Sequence, residues 1–287
     1  MSTLDPFLQT RIAFIGGGNM ARAMIGGLLD SGCPPSSFAV GESHPGQRSA
    51  LAPLGVTVTD DNAAALRGAR VAVLAVKPQD AAAALRPLRA QLGAGKPLLL
   101  SVAAGLRVTD LRAWCGPGVP VVRAMPNRPA FVRAGASALF ATPEVTPDDR
   151  MLAAAILGAV GSVAWVASEA ELDVVTALSG SGPAYFFLLA ELLADAAVAL
   201  GLEPAVANDL AIGTLHGAGV LAQESDGDLA RLRAEVTSRG GTTEAALRAF
   251  DAAGLRSIVA TAVAAAATRS RELAAHYGAS GEPGSTP

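Results

Sequence analysis

Two short stretches of the chain carry residue types and spacings suited to holding a small anion. Glu235 to Leu247, EVTSRGGTTEAAL, sets two glycines and two threonines directly ahead of a helical run. Unpaired backbone N–H groups at a helix start, with hydroxyls beside them, suit a carboxylate. The same residues also make an ordinary helix start, with Thr as N-cap and Glu244 in the first turn. Phe14 to Ala21, FIGGGNMA, places Gly16, Gly18 and Ala21 in a G-x-G-x-x-A arrangement after an apolar run and before a helical one. There Gly16 permits a tight turn, Gly18 lets the backbone approach a pyrophosphate, and Ala21 allows close helix-to-strand packing. A plain glycine turn is the alternative, and the strand-to-helix context favours a dinucleotide site.

Glu42 lies about twenty residues beyond this turn, where an acid normally meets the ribose hydroxyls of NAD. Ser43, His44 and Arg48 follow it and are equally placed to receive the 2′-phosphate of NADP, which the charge of Glu42 would oppose. Strand alternation leaves open whether Glu42 faces the nucleotide or solvent. Lys77, in LAVKPQ, stands at a strand end where ligand loops of open α/β sheets lie, although a solvated lysine there is ordinary. Glu191 and Asp195 are four apart on one helix face; without a histidine or third polar group nearby they read as a solvated stripe or a helix contact, not an acid–base pair. Cys33, Cys115 and three scattered histidines form neither a disulfide frame nor a ligand cluster, so no metal is expected.

The elements that must position these residues follow from the hydrophobic pattern. RIAFIGGGNMARAMIGGLLDSG reads as strand, turn, helix and stop, and SFAVGE, VAVLAV, PLLLSV and VPVVRA are further β-type runs between Ala/Leu-rich helical segments. That alternation predicts a parallel, doubly wound sheet. After SVAWVA, Ser162 to Ala167, β-rich runs cease, and the chain to His276 reads as helix broken by Gly, Pro and Asp. The expected organisation is one domain over 1–166, a helical domain over 167–276, and a tail over 277–287 with the composition of a disordered end. Ala184 to Leu200 is apolar enough to raise the question of a membrane, but Glu191 and Asp195 interrupt it, and a buried helix is expected. With 287 residues, 51% hydrophobic, and a net charge of -3, a large core is available and neither nucleic acid nor an anionic membrane is an expected partner. The N-terminus MSTLDPFLQT has no basic or apolar signal region, so a reducing, cytoplasmic setting is expected.

In this order and spacing, FIGGGNMARAMIGGLL, VLAVKPQD, SVAAGL, VVRAMPNRPA, ALSGSGPAYFFLLAELLADAAVALGL and EVTSRGGTTEAAL closely resemble the pyrroline-5-carboxylate reductase family, from about Ile12 to Leu273. The resemblance implies an N-terminal Rossmann-like dinucleotide-binding domain and an all-helical C-terminal domain for substrate binding and dimerisation. It implies reduction of Δ1-pyrroline-5-carboxylate to L-proline with NADPH, or NADH, in a homodimer or larger homo-oligomer. It assigns the pyrophosphate turn to Gly16, Gly18, Asn19, Met20 and Ala21, and the adenosine ribose side to Ser43 and Asn62. Ala75, Val76, Lys77 and Pro78 would run along the cofactor, with Ala103, Ala104, Met125, Pro126 and Asn127 on the nicotinamide side. Ser238, Gly240, Gly241, Thr242 and Thr243 would bind the substrate carboxylate, Thr243 also orienting the ring nitrogen.

Pro183 fits the first turn of the long central helix and Gly201 its C-cap. The chain departs from the family pattern at Arg239, where Pro is usual, at Arg128, where Thr is usual, and at Gly213, which stands before Thr214 in place of a hydrogen-bonding side chain. A protonated cyclic imine is already electrophilic, so positioning is the main task, and a site rich in Gly, Ser and Thr suits it. The competing readings are a related imine or β-hydroxyacid reductase of similar build, and a non-catalytic dinucleotide-binding regulator. A hydroxyacid enzyme should carry a catalytic Lys in its helical half, which has none.

Overall fold

The computed structural model describes residue 7 and residues 9–280, the side chains of 279 and 280 excepted. Eight strands form one sheet: β1 (Ile12–Ile15), β2 (Phe38–Gly41), β3 (Thr57–Thr59), β4 (Val71–Leu74), β5 (Leu98–Ser101), β6 (Val121–Met125), β7 (Gly135–Ala141) and β8 (Gly161–Trp165), in the order 3-2-1-4-5-6-7-8. The helices along this part of the chain are α1 (Asn19–Asp30), α2 (Pro45–Leu51), α3 (Asn62–Leu66), α4 (Ala81–Leu85), α5 (Arg89–Gly95), α6 (Val108–Cys115), α7 (Pro147–Gly158) and α8 (Glu171–Val175). Strands β1, β2, β4 and β5 are buried at every position, the continuous apolar pattern of a sheet covered on both faces. One core layer gathers Phe14, Met24, Ile25, Leu28, Phe38 and Leu157; the other gathers Ile15, Leu74, Leu85, Leu92, Leu111 and Trp114.

All pairings are parallel except β6 with β7. The expected sheet was wholly parallel, and the exception has a simple cause. Only residues 126–134 join β6 to β7, too short a link for a parallel crossover with its helix. The β7 sequence GASALFA is poor in β-branched residues, and β3 is three residues long, which is why neither stood out in the sequence.

The described residues divide into two compact units, one up to residue 180 together with the segment from residue 266 onward, and the other 181–265. The division falls at Gly180 where the sequence pattern put it near Val166. The connecting segment Thr176–Gly180 is a π-helical turn. The second unit holds α9 (Gly182–Ala199), α10 (Pro204–Glu224), α11 (Leu229–Glu235), α12 (Thr242–Ala252) and the first part of α13 (Leu255–Ser280). The later part of α13 belongs to the first unit, where Ser270 Oγ donates to Asp173 Oδ1 at 2.8 Å and the Tyr277 ring lies beside Gly105. Helix α13 continues over residues 277–280, where the sequence pattern placed the start of a tail; the remainder of that tail, 281–287, lies outside the described residues.

Pro183 stands in the first turn of α9, and Gly201 follows its end at φ +100°. The helix is not buried within the chain. Phe186, Phe187 and Leu188 are each more than half exposed, and Gly182 is its one buried residue. Glu171–Ala199 is long and apolar enough to span a membrane, a test that core helices of soluble proteins also pass.

Candidate active site

The strand order places β1 between β2 and β4, so the chain winds in opposite senses on its two sides, and the crevice beyond the carboxyl ends is where such sheets bind ligands. The glycine turn lies there. Gly16 has φ +96°, and a Cβ on it would come within 2.7 Å of Val76 Cγ1 and 3.0 Å of the Ala75 carbonyl, so the turn needs glycine both for its dihedral and for closeness to the β4 end. Gly18 is the N-cap of α1, no side chain caps it among the described residues, and a Cβ there would meet nothing within 4 Å. The α1 ladder starts with Arg22 N donating to Gly18 O at 3.0 Å, which leaves the N–H groups of Asn19, Met20 and Ala21 without intrahelical acceptors. Open space over Gly18 beside unpaired first-turn amides fits a pyrophosphate. The Asn19 side chain accepts from Arg22, one turn along the same helix.

The remaining cofactor-side candidates come together at the same sheet end. Ser43 follows β2 and is exposed; Asn62 begins α3. The Asn62 Oδ1 sits over Gly41, where any Cβ would overlap it. Ala75 to Pro78 follow β4, with Lys77 exposed. Ala103 and Ala104 follow β5, and Met125, Pro126 and Asn127 end and follow β6.

Asn127 is buried and doubly bonded: its Oδ1 accepts from Ala136 N at 2.8 Å, and its Nδ2 donates to Ser179 O at 3.0 Å. The side chain is therefore spent on fastening β7 and the π-helical turn to the end of β6. Gly180, at the end of that turn, admits the Met125 side chain, whose Cε would lie 2.7 Å from a Cβ there.

In the helical unit, Ser238 to Thr243 form the loop into α12. Gly240 has φ +76° and Gly241 is the helix N-cap. Two loop amides are already bonded: Gly240 N donates to Glu244 Oε2 at 2.7 Å, and Gly241 N to Ser238 O at 3.0 Å. With Ala245 N bonded to Gly241 O, the N–H groups of Thr242, Thr243 and Glu244 have no intrahelical acceptor. The amides left open to a ligand are therefore those at the start of α12, not the glycine amides. A Cβ on Gly241 would come within 2.5 Å of Ser238 Oγ, whereas one on Gly240 would meet nothing, so the two glycines are needed for different reasons.

Residues 169–273 match the family model for pyrroline-5-carboxylate reductase dimerisation, and 11–105 match that for NADP oxidoreductase, coenzyme F420-dependent. The pyrroline-5-carboxylate reductase of Pseudomonas aeruginosa is 45% identical over 271 residues, covering 93% of this chain and 98% of the relative. The chain belongs to the pyrroline-5-carboxylate reductase family. Among solved structures, a pyrroline-5-carboxylate reductase from Coxiella burnetii superposes with a TM-score of 0.90 at 41% identity, over 92% of this chain and 98% of that one. The Plasmodium falciparum pyrroline carboxylate reductase with NADP bound superposes with a TM-score of 0.77 at 26% identity, over the same shares of the two chains.

Within a pyrroline-5-carboxylate reductase framework, the three departures of this chain are accommodated locally. Arg128 is exposed, with its guanidinium 5.9 Å from the Phe131 ring centroid. Arg239 is exposed at the loop apex, and Gly213 lies in α10 with open space where a Cβ would stand. Sequence reasoning gave Gly17 no role of its own within the Gly16–Ala21 turn and missed Gly41, whose signal was a glycine directly before Glu42. A Cβ on Gly17 would come within 2.6 Å of Leu51 Cδ1. It also missed Glu169, whose Oε1 accepts from Arg123 Nη1 and from Val108 N, both at 2.6 Å, tying the β6 strand and the start of α6 to the segment before α8.

Proposed function

We propose that the protein reduces the C=N bond of Δ1-pyrroline-5-carboxylate to give L-proline, using NADPH or NADH. The observation that carries this reading is the gathering of Gly16–Ala21, Ser43, Asn62, Ala75–Pro78, Ala103, Ala104 and Met125–Asn127 at one end of a sheet whose strand order reverses at β1, in a chain of this family. Amides at the start of α1 hold the pyrophosphate, with Gly18 leaving room for it. Ser43 and Asn62 lie on the adenosine side, and the segments after β4, β5 and β6 line the nicotinamide side. The bound dinucleotide supplies the hydride.

The chain's own residues bind and orient the imine. The Thr242 and Thr243 amides take the substrate carboxylate, and the Thr243 hydroxyl orients the ring nitrogen. Ser238, Gly240 and Gly241 shape the loop so that those donors face one way. No side chain is assigned as an obligatory acid, because a protonated imine arrives already electrophilic; kcat/KM falls as pH rises above the imine's own pKa. The apolar surface of α9 and α10, within the region matched to the dimerisation model, is covered by a second copy, so the working form is a homodimer or a larger homo-oligomer.

Oxidation of NADPH and of NADH is followed at fixed protein concentration with Δ1-pyrroline-5-carboxylate, and proline formed is measured directly. Proline equal to nucleotide oxidised is the expected result. Dinucleotide binding without turnover would make the protein a regulator, and turnover confined to β-hydroxyacids would move it to another reductase class.

A further inference from the structure

We propose that Glu42 is a positioning residue that locks the pyrophosphate turn to the adenosine-side loop, and that it sets the affinity for both dinucleotides together instead of choosing between them. An acid at the end of the second strand ordinarily turns its two oxygens to the ribose hydroxyls of NAD. Here both oxygens are committed elsewhere. Oε2 accepts from Gly17 N at 2.8 Å and Oε1 accepts from His44 N at 2.8 Å.

The surrounding backbone is fastened in the same sense. Gly16 N donates to Gly41 O at 2.8 Å, and Glu42 N donates to Thr59 O at 2.9 Å. Arg48 Nη1 donates to the carbonyls of Glu42 at 3.0 Å and Ser43 at 2.7 Å. Gly17 lies so near the β2 end that a Cβ on it would stand 3.3 Å from both Glu42 Cβ and Val40 Cγ1. The carboxylate thus bridges two ligand loops that are already in contact. Hydrogen bonds to an ionised acceptor are the stronger kind, and turning the carboxylate toward a ribose would give up both, leaving the part-buried Gly17 amide without its acceptor. Two amide dipoles aimed at its oxygens also reduce the repulsion a 2′-phosphate would feel from it.

This inference rests on reading Gly16–Ala21 as a dinucleotide turn. The experiment separates the two. Calorimetric titration of NADP+ and NAD+ into the wild type tests the turn. The same titrations on Glu42→Ala and Glu42→Gln, with amide hydrogen exchange on each protein without nucleotide, test the bridge. We expect Glu42→Ala to weaken both nucleotides tenfold or more, with their affinity ratio unchanged within fivefold. Glu42→Gln keeps one acceptor oxygen and falls between Ala and wild type. Exchange at Gly17 and His44 accelerates in Glu42→Ala while the β1 amides stay protected, and kcat at saturating nucleotide stays near wild type. A ratio shifted more than fivefold toward NADP+ in Glu42→Gln, unaltered exchange at Gly17 and His44, or unchanged affinity for both nucleotides in Glu42→Ala would each overturn the proposal. A wild type that binds neither nucleotide would instead overturn the reading of the turn, while exchange still reports on the bridge.

Discussion

Along β1 every residue from Ile12 to Ile15 is buried, while along α9, also a largely apolar stretch, only Gly182 is. In the sheet unit, helices on both faces and neighbouring strands on both edges of β1 leave its side chains no route to water. In the helical unit, α9 and α10 flank an apolar groove of about 720 Å³ lined by Phe186, Leu189, Leu193, Leu202, Leu210 and Leu215, which no other described residue fills. A chain segment of the first kind completes its own core. One of the second kind carries half of a core, and the hydrophobic effect favours its being completed by association. The same contrast separates the two proposed ligand loops: the glycine turn is braced by the β2 and β4 ends, whereas the Ser238–Thr243 loop is braced from within by Ser238 and by the adjoining Glu244.

The largest effect should come from breaking the association that distinguishes the helical unit. Leu193→Glu puts a charge into the apolar groove, and we expect self-association and turnover to be lost while dinucleotide binding by the sheet unit survives. Sedimentation velocity paired with calorimetric titration of NADP+ checks this; a variant that sediments as wild type refutes the half-core description of α9 and α10.

Next in size is the bracing of the nucleotide end. Gly41→Ala forces Asn62 from its place against β2, and NADP+ affinity is expected to fall about tenfold to a hundredfold, the loss of one or two good polar contacts. The KM for the imine should hardly move, which steady-state kinetics would show.

The substrate loop provides the reciprocal case. Gly241→Ala collides with Ser238 Oγ and tilts the following amides, so KM for Δ1-pyrroline-5-carboxylate should rise about tenfold or more with nucleotide affinity unchanged. If the Thr243 hydroxyl orients the ring nitrogen as proposed, Thr243→Ala should lower kcat more than it raises KM. Wild-type constants for both variants would reduce the loop to a helix cap.

The smallest effect concerns the completeness of the sheet unit's own core. Burial pushes the Cys115 thiol up to about 11 from its ordinary 9.0. A raised folded pKa favours the protonated form, so its contribution to stability is whole below about 9 and is lost as pH rises through about 11. We expect Cys115 to resist alkylation at pH 8 in the native protein and to react on unfolding, read by mass spectrometry. Rapid native labelling would show that α6 opens readily.

Much of the site was legible because its signals are local. The glycine turn, the strand-end positions of Lys77 and Met125–Asn127, and the Gly-Gly-Thr-Thr helix start depend on turn dihedrals, strand ends and unpaired helix amides, all written in consecutive residues. Asn127 was legible as a residue at the β6 end, but its bonds to Ala136 and Ser179 were not, because they join segments distant along the chain. Strand β7 was missed for the related reason that its small residues acquire β structure from pairing with β6 and β8, not from their own propensity.

By itself the sequence determined the class of sheet, the placement of the nucleotide turn and the helical character of the second half, since periodicity and glycine spacing act over a few residues. Only the tertiary structure decided where the two carboxylate oxygens of Glu42 point, which loop amides remain unpaired at Thr242 and Thr243, and that α9 leaves its apolar face uncovered within the chain. Each of these depends on which distant donor, acceptor or surface reaches a group first. That competition is settled by packing in three dimensions and leaves no mark in the neighbouring residues.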